Sequence, residues 1–327
     1  MFATGRRLGC CLAAALLACG EASVAQDKPA GYPIRPLRLV ISGAPGAGGD
    51  MMARAVAQII TDAWGQNVLV DNRPGGSGLI AAELVARSAP DGYTLLSGGE
   101  NLVLLGVLKR APFDVLKAFD PVAPTSAQPY VLIVNPSLPF KSIKELIAYS
   151  TTRAVKYSGS SGVGATVHLG MELFAQLSGA KLLFVPYKGT APGVLAAMSS
   201  EIDMVAASSM AATSAIKTGK LRGLAALSLT RIPSMPNLPT VAEQGFPGFK
   251  ITNRYGVHVP AGTPRPIIAV LNRVVSDGMH SPGMSQKLEL EGAQPAERMT
   301  PEQLKETIAR ESAELEQVVK QLDIRLH

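Results

Sequence analysis

Glycines and small hydroxyl residues hold most of the chemistry legible in this chain. Ala44, Pro45, Gly46, Ala47, Gly48, Gly49 and Asp50 place three glycines in four residues, directly after the apolar run Leu37 to Ser42. Glycines at that density let a ligand approach the backbone closely. The positive end of the helix that follows favours an anion at the same spot. A tight turn between strand and helix is the competing reading. A nucleotide loop fits poorly, because the Gly-Lys-Ser/Thr ending of a P-loop is missing. Met51 also stands where a dinucleotide fingerprint needs its third glycine. Asp50 reads as a helix-start residue that fixes the loop, not as an acid catalyst.

A second unit of the same kind follows about 115 residues later, in Ser158, Gly159, Ser160, Ser161, Gly162, Val163, Gly164 and Ala165. Ser160 or Ser161 with His168 suggests a secreted hydrolase, but the Gly-x-Ser-x-Gly elbow is not met. The four histidines, at 168, 258, 280 and 327, offer few triad partners. His168 lies in the helix after the loop, where it could orient it. Tyr187, Lys188 and Gly189 follow a strand, with Thr190 placed to cap the next helix. Lys188 is either a charge offered to an acidic ligand or an ordinary solvated lysine. Ser208 and Ser209 end a strand and either donate hydroxyls or cap a helix. No His, Cys or carboxylate pair shows metal-ligand spacing, so neither a metal nor a cofactor is expected. The two loop–helix units together suggest a two-jawed trap for a small anion, without catalysis.

The elements that must position these residues alternate β-rich runs with helical patterns, which points to α/β layers. Strands are expected at 37–42, 67–71, 93–97, 130–135, 155–158, 182–185, 203–208 and 221–228. Helices are expected at about 50–63, around 81–87, after Ser142, at 166–177 and from Thr190. Ser142 with Glu145 and Thr300 with Gln303 form capping boxes, and Thr240 with Glu243 should open a short helix. Val259 to Pro264 reads as a rigid link into a helical C-terminal region. Its last helix carries Leu304, Ile308, Leu315 and Val319 on one stripe. Trp64, the only tryptophan, belongs in the core.

Composition narrows the class. The 327 residues are 47% hydrophobic and 17% charged, which excludes a disordered or low-complexity chain. The net charge of +6 is scattered and lacks aromatic interleaving, so nucleic acid is not an expected partner. Arg6 and Arg7, the apolar stretch Leu8 to Ala18, and Ser23-Val24-Ala25 read as a signal peptide over 1–25. That segment holds all three cysteines (Cys10, Cys11 and Cys19), so the exported protein would rely on its core without disulfides. A lipoprotein anchor at Cys19 is the weaker alternative, because Leu17 precedes Ala18 in the box. No later stretch approaches the about 20 apolar residues needed to span a bilayer.

Read in order, Pro33 to Arg38, Ala44 to Arg54 and Asp71-Asn72-Arg73-Pro74-Gly75 resemble the opening of the Bug family. These are the TctC-type periplasmic receptors of tripartite tricarboxylate transporters. Ala89 to Leu96, Val185 to Gly189, Gly219 to Arg222, Leu238-Pro239-Thr240 and Pro260 to Pro264 continue the series over nearly the whole exported chain. The resemblance implies an α/β, two-lobe periplasmic binding protein of type II, with the ligand cleft between the lobes. Residues 26–125 would build most of lobe one, 126–252 lobe two, and 253–327 the return to lobe one with C-terminal helices. It further implies a monomer in the periplasm that closes on a small carboxylate and presents it to membrane subunits. A sensor without a transporter would use the same binding chemistry. The ligand would lie between Ala44–Asp50 and Ser160–Ala165, near Tyr187 to Gly189.

Four positions depart from the family pattern: Gly49 for a frequent Thr, Ala165 for Ser, Leu79 for Asn, and Arg254 before Tyr255 for Trp. Two lost hydroxyls remove two hydrogen bonds worth about 1.5–3 kcal/mol each when made to a charged group. An aromatic monocarboxylate or an amide therefore stands beside a dicarboxylate as the ligand. Arg254, if it faces the cleft, would restore anion affinity.

Overall fold

The computed structural model describes residues 31–159, 163–187, 189–290 and 292–321. The signal-peptide segment, Ser160, Ser161, Gly162 and Lys188 lie outside the described residues. The first third contains β1 (Leu37–Ile41), α1 (Gly48–Trp64), β2 (Val68–Asn72), α2 (Leu79–Ala86), β3 (Thr94–Gly99), α3 (Glu100–Val107) and α4 (Val115–Ala118). A long strand, β4 (Phe119–Val134), follows. Then come α5 (Ile143–Ser150), β5 (Val155–Ser158), α6 (Thr166–Ser178), β6 (Leu182–Phe184), α7 (Thr190–Met198), β7 (Met204–Ser208), α8 (Ser209–Lys217) and β8 (Arg222–Leu227). The chain finishes with β9 (Thr252–Pro260), α9 (Arg265–Met279), α10 (Pro282–Leu290), β10 (Gln294–Pro295) and α11 (Pro301–Gln321).

The strands join in the order β2-β1-β3-β9-β4-β7-β5-β6, with β8 and β10 also paired to β4. β1 is parallel to β2 and β3, and Leu37, Leu39, Val40 and Ile41 are buried, as a strand covered on both faces requires. β9 enters antiparallel between β3 and β4. Residues Phe119 to Pro129 of β4 pair with β9, whereas Tyr130 to Val134 pair with β7 and β8. One strand thus runs through both halves of the sheet. Helices cover both faces of each half. α1 and α9 close one core with Trp64 in it, and α5 and α6 close another around Tyr130, Tyr157 and Phe174.

The sequence patterns recover most strand centres but leave β9, β10, α3, α4 and α8 unread, and three expectations are corrected. β4 is much longer than the expected 130–135, because Pro121, Pro124 and Pro129 argue against a continuous strand. The ladder absorbs the first two with register shifts between Pro121 and Ala123 and between Pro124 and Ser126. Val259 and Pro260, expected in a linker, end β9. The capping box at Thr240 forms in both directions, at 2.9 and 2.8 Å, yet residues 241–245 make only a turn. Gly245 and Gly248, both at positive φ around Pro247, end it there. The boxes at Ser142 and Thr300 do open α5 and α11.

Candidate functional site

The β1–α1 loop is built around Asp50, which is buried. Gly46 N–H and Arg54 Nε each donate to its Oδ2 at 3.0 Å, and Asn72 Nδ2 donates to its Oδ1 at 2.9 Å. Burial alone would raise the pKa of this carboxyl, but those bonds outweigh it and hold it below the usual carboxylate range. Asp50 is therefore a staple inside the loop, as its helix-start position suggested. Gly48 has no room for a side chain: a Cβ there would sit 2.5 Å from Ser208 Oγ and 2.9 Å from Gln128 Oε1. A Cβ on Gly49 would meet the Tyr255 ring at 2.9 Å.

The described part of the β5–α6 loop is held from the first half of the molecule. Val163 O accepts from Arg110 Nη1 at 2.6 Å and from Ser77 Oγ at 3.2 Å. Thr166 N–H and Oγ1 donate to Asn101 Oδ1 at 3.2 and 3.3 Å, so a residue of α3 caps α6 where Ala165 offers no side chain. His168 Nδ1 accepts from Gly164 N–H at 3.0 Å, and its ring packs on Phe184 at 4.4 Å between centroids. Burial and the Arg110 charge both lower its pKa, which suits a neutral acceptor that orients the loop. The third loop touches the first: a Cβ on Gly189 would lie 3.4 Å from Ala44 Cβ.

Between these loops lies a cavity of about 50 Å³. Of the residues singled out from sequence, Ala47, Gly48, Gly49 and Ser208 line it. Ala44, Pro45, Gly46, Val163, Gly164, Ala165, His168 and Gly189 do not line it; they belong to the loops around it. Tyr187 is turned elsewhere, its hydroxyl bonded to Glu201 Oε1 at 2.6 Å. Arg254 does not face this cavity either: its guanidinium is bonded to Glu311.

Ser42, Ser97, Asn101, Thr190 and Tyr255 bring further polar side chains to the wall and were not among the expected ligand residues. Ser97 and Asn101 flank Gly98-Gly99, a third strand–glycine–helix unit that spacing could have revealed. Gln128, fully buried beside Gly48 with Oε1 unpartnered, left no such signal on its proline-rich strand.

The helix starts explain what the cavity can do. α1, α2, α3 and α7 present their first turns to it behind N-caps Ala47, Gly78, Gly99 and Gly189, none of which provides a side-chain acceptor. Ser208, also in the wall, does cap α8 with its hydroxyl, as Asp114 and Ser142 cap α4 and α5 elsewhere, whereas Pro264 provides no side-chain cap to α9. Uncapped first turns leave N–H groups to satisfy, and their dipoles favour negative charge. No Lys or Arg is among the described residues lining the cavity. Charge on a bound group would be met by N–H dipoles and hydroxyls. Among the described residues there is no cluster of three or more metal-ligating side chains, and no helix long and apolar enough to cross a membrane.

Known proteins share this sequence pattern and fold. The family model described as "Tripartite tricarboxylate transporter family receptor" matches residues 52–324. Protein BugT of Bordetella pertussis is 34% identical over 299 residues, covering 90% of this chain and 91% of BugT. The solved structure "R. palustris Rpa4515 with adipate" is 33% identical with a TM-score of 0.85, over 90% of this chain and 99% of that one. "MatC (Rpa3494) from Rhodopseudomonas palustris with bound malate" is 28% identical with a TM-score of 0.81, over 88% and 100%. The shared fold is the two-lobe α/β architecture of periplasmic binding proteins. The chain belongs to the Bug/TctC family of periplasmic solute receptors.

Proposed function

We propose that this protein captures a small carboxylated metabolite in the cavity between the β1–α1, β3–α3 and β6–α7 loops. The observation that carries this reading is the convergence of four helix N-termini without side-chain caps on one enclosed space. A carboxylate there would supply the acceptors that Ala47, Gly78, Gly99 and Gly189 do not. The relatives solved with adipate and with malate support a di-acid as the first class to try. Ala44 to Gly49, Ser208 and the loop from Ser160 to Ala165 would form the two jaws, with Tyr187 to Gly189 at the margin.

Binding proceeds by lobe closure in this reading, with crossings near Ser126 and Thr252. The change of β4 partners between Pro129 and Tyr130, and the start of β9 at Thr252, support that division. The closed arrangement is favoured by contacts a ligand would reinforce. The protein acts after export, as a monomer that delivers its ligand to the membrane subunits of a tripartite tricarboxylate-type transporter. It performs no catalysis, and the engagement of His168 with Gly164 N–H supports an orienting role over that of a general base.

A thermal-shift screen against mono-, di- and tricarboxylates, aromatic acids and amides tests the reading. A ligand at 100 times its dissociation constant adds about 2.7 kcal/mol. A dicarboxylate is expected to raise the melting temperature. A protein that responds to none of the carboxylates does not work as an anion trap.

A further inference from the structure

The first half of the sheet carries a second and larger void, of about 380 Å³, beneath α11. Gly98, Gly99 and Tyr255 belong to its wall and to that of the ligand cavity. Val103, Val115, Phe119, Met299, Leu304 and Ile308 give it an apolar surface drawn from α3, α4, β4, α11 and the segment leading into α11. Its floor is β9, where Arg254 and His258 share a face by the two-residue alternation of a strand. Arg254 lies opposite Ala127, and its ion pair with Glu311 of α11 closes that side. His258 lies four positions along, opposite Leu96 and Pro121.

Two polar atoms lining this void lack a partner, on side chains that are otherwise held by Thr166 and by the backbone of Gly256 and Leu96. Glu100 Oε2 and His258 Nδ1 are buried without a hydrogen-bond partner, and His258 is only 7% exposed. Such groups are costly to leave unmade. Burial keeps the imidazole neutral, with its pKa lowered to about 4. In the Nε2–H tautomer its Nδ1 is an acceptor. The void's volume falls within the range of small-molecule pockets, roughly 300–1,000 Å³.

We propose that this void is a second ligand site, taking an aliphatic amine whose chain lies along α3, α4 and α11 and whose ammonium donates to Glu100 Oε2. His258 Nδ1 is a further acceptor on the same floor. Charge decides against an anion. The one cation close to Glu100 in the wall, Arg254, is already bonded to Glu311, so a carboxylate beside Glu100 would find no uncommitted cation there, and Glu311 would repel it. Lys305, also in the wall, faces Asp120 at 3.6 Å. An ammonium supplies the counter-charge that lets Glu100 ionise. The two adjoining cavities thus select opposite charges.

Proton linkage distinguishes this site from generic apolar binding. Burial, with Glu311 nearby, pushes the Glu100 carboxyl up to about 8 against the opposing influence of Arg254, Thr166 and Lys250. It is therefore mostly protonated at pH 7, and pairing with an ammonium ionises it. The proton leaves Glu100 for the buffer, and no covalent bond to the amine forms.

Calorimetric titration of the purified protein with n-octylamine, n-octanoate and n-octanol at pH 7, in two buffers of different ionisation enthalpy, tests this. Octylamine is expected to bind with release of close to one proton, and at least tenfold more tightly than octanoate or octanol. Glu100→Gln should lose both the proton release and at least tenfold in affinity. Leu304→Trp, which fills the void, should abolish octylamine binding, with Ile308→Trp as the second filling variant if the first melts early. Failure of octylamine to bind, equal or tighter binding of octanoate or octanol, or unchanged octylamine affinity in a folded filling variant overturns the proposal.

Discussion

Gly48 and Asp50 sit two residues apart and make different contributions to the same loop. Gly48→Val would drive a side chain into Ser208 Oγ and Gln128 Oε1, inside the wall of the cavity. At least a hundredfold loss of affinity is expected for the acid that gives the largest thermal shift. Far-UV circular dichroism should be unchanged, because Gly48 opens α1 at ordinary helical geometry. Asp50→Asn should instead cost stability, roughly 1–3 kcal/mol, by weakening the acceptance of the buried carboxylate from its three donors. Urea unfolding measures it. The folded carboxyl titrates below the unfolded one, so its stabilisation is complete above about pH 4 and is lost as pH falls through the folded value. The variant should lack that acid-limb contribution.

Across the elements, the proposed closure would rest on contacts between the first half of the molecule and the start of α6. Asn101 caps Thr166, and Arg110 and Ser77 hold Val163 O. Asn101→Ala should weaken the bound acid about tenfold, chiefly through faster dissociation, as stopped-flow competition would show. A variant with an unchanged dissociation rate would mean these bonds do not hold the closed form. The β1–α1 and β5–α6 units were legible because a strand, a glycine run and a helix occur in unbroken sequence. So were the boxes at Ser142 and Thr300, which are local motifs. Gln128 and Tyr255 escaped for the opposite reason: their strands reach the cleft only through pairing of residues more than 100 apart. The β3–α3 unit was locally visible in Ser97-Gly98-Gly99, yet a strand expected to end at Ser97 left its continuation unread. Arg254 lies on β9, a strand the sequence pattern did not reveal, and its ion pair with Glu311 turns it away from the ligand cavity.

At the scale of the whole molecule, two buried groups bend the stability curve in opposite senses. His258 has a folded pKa of about 4 against about 6.5 unfolded, so it withdraws stability as pH falls below 6.5. Glu100, raised to about 8 from 4.5, withdraws stability as pH rises over that interval. The two slopes largely cancel between about pH 4.5 and 6.5. From 6.5 to 8 the Glu100 contribution stands alone and amounts to about 2 kcal/mol. Melting temperatures across that window should fall for the wild type and stay flatter in Glu100→Gln. The placement of β9 has a consequence for how the chain is made. Residues 252–260 fill the slot between β3 and β4, so both of those strands keep open edges until about four-fifths of the polypeptide has emerged. The half formed by β5 to β8, by contrast, is continuous in sequence and can assemble while the other half waits. A ribosome-stalled or truncated chain ending before Thr252 should therefore yield one protease-resistant half and one exposed, aggregation-prone half.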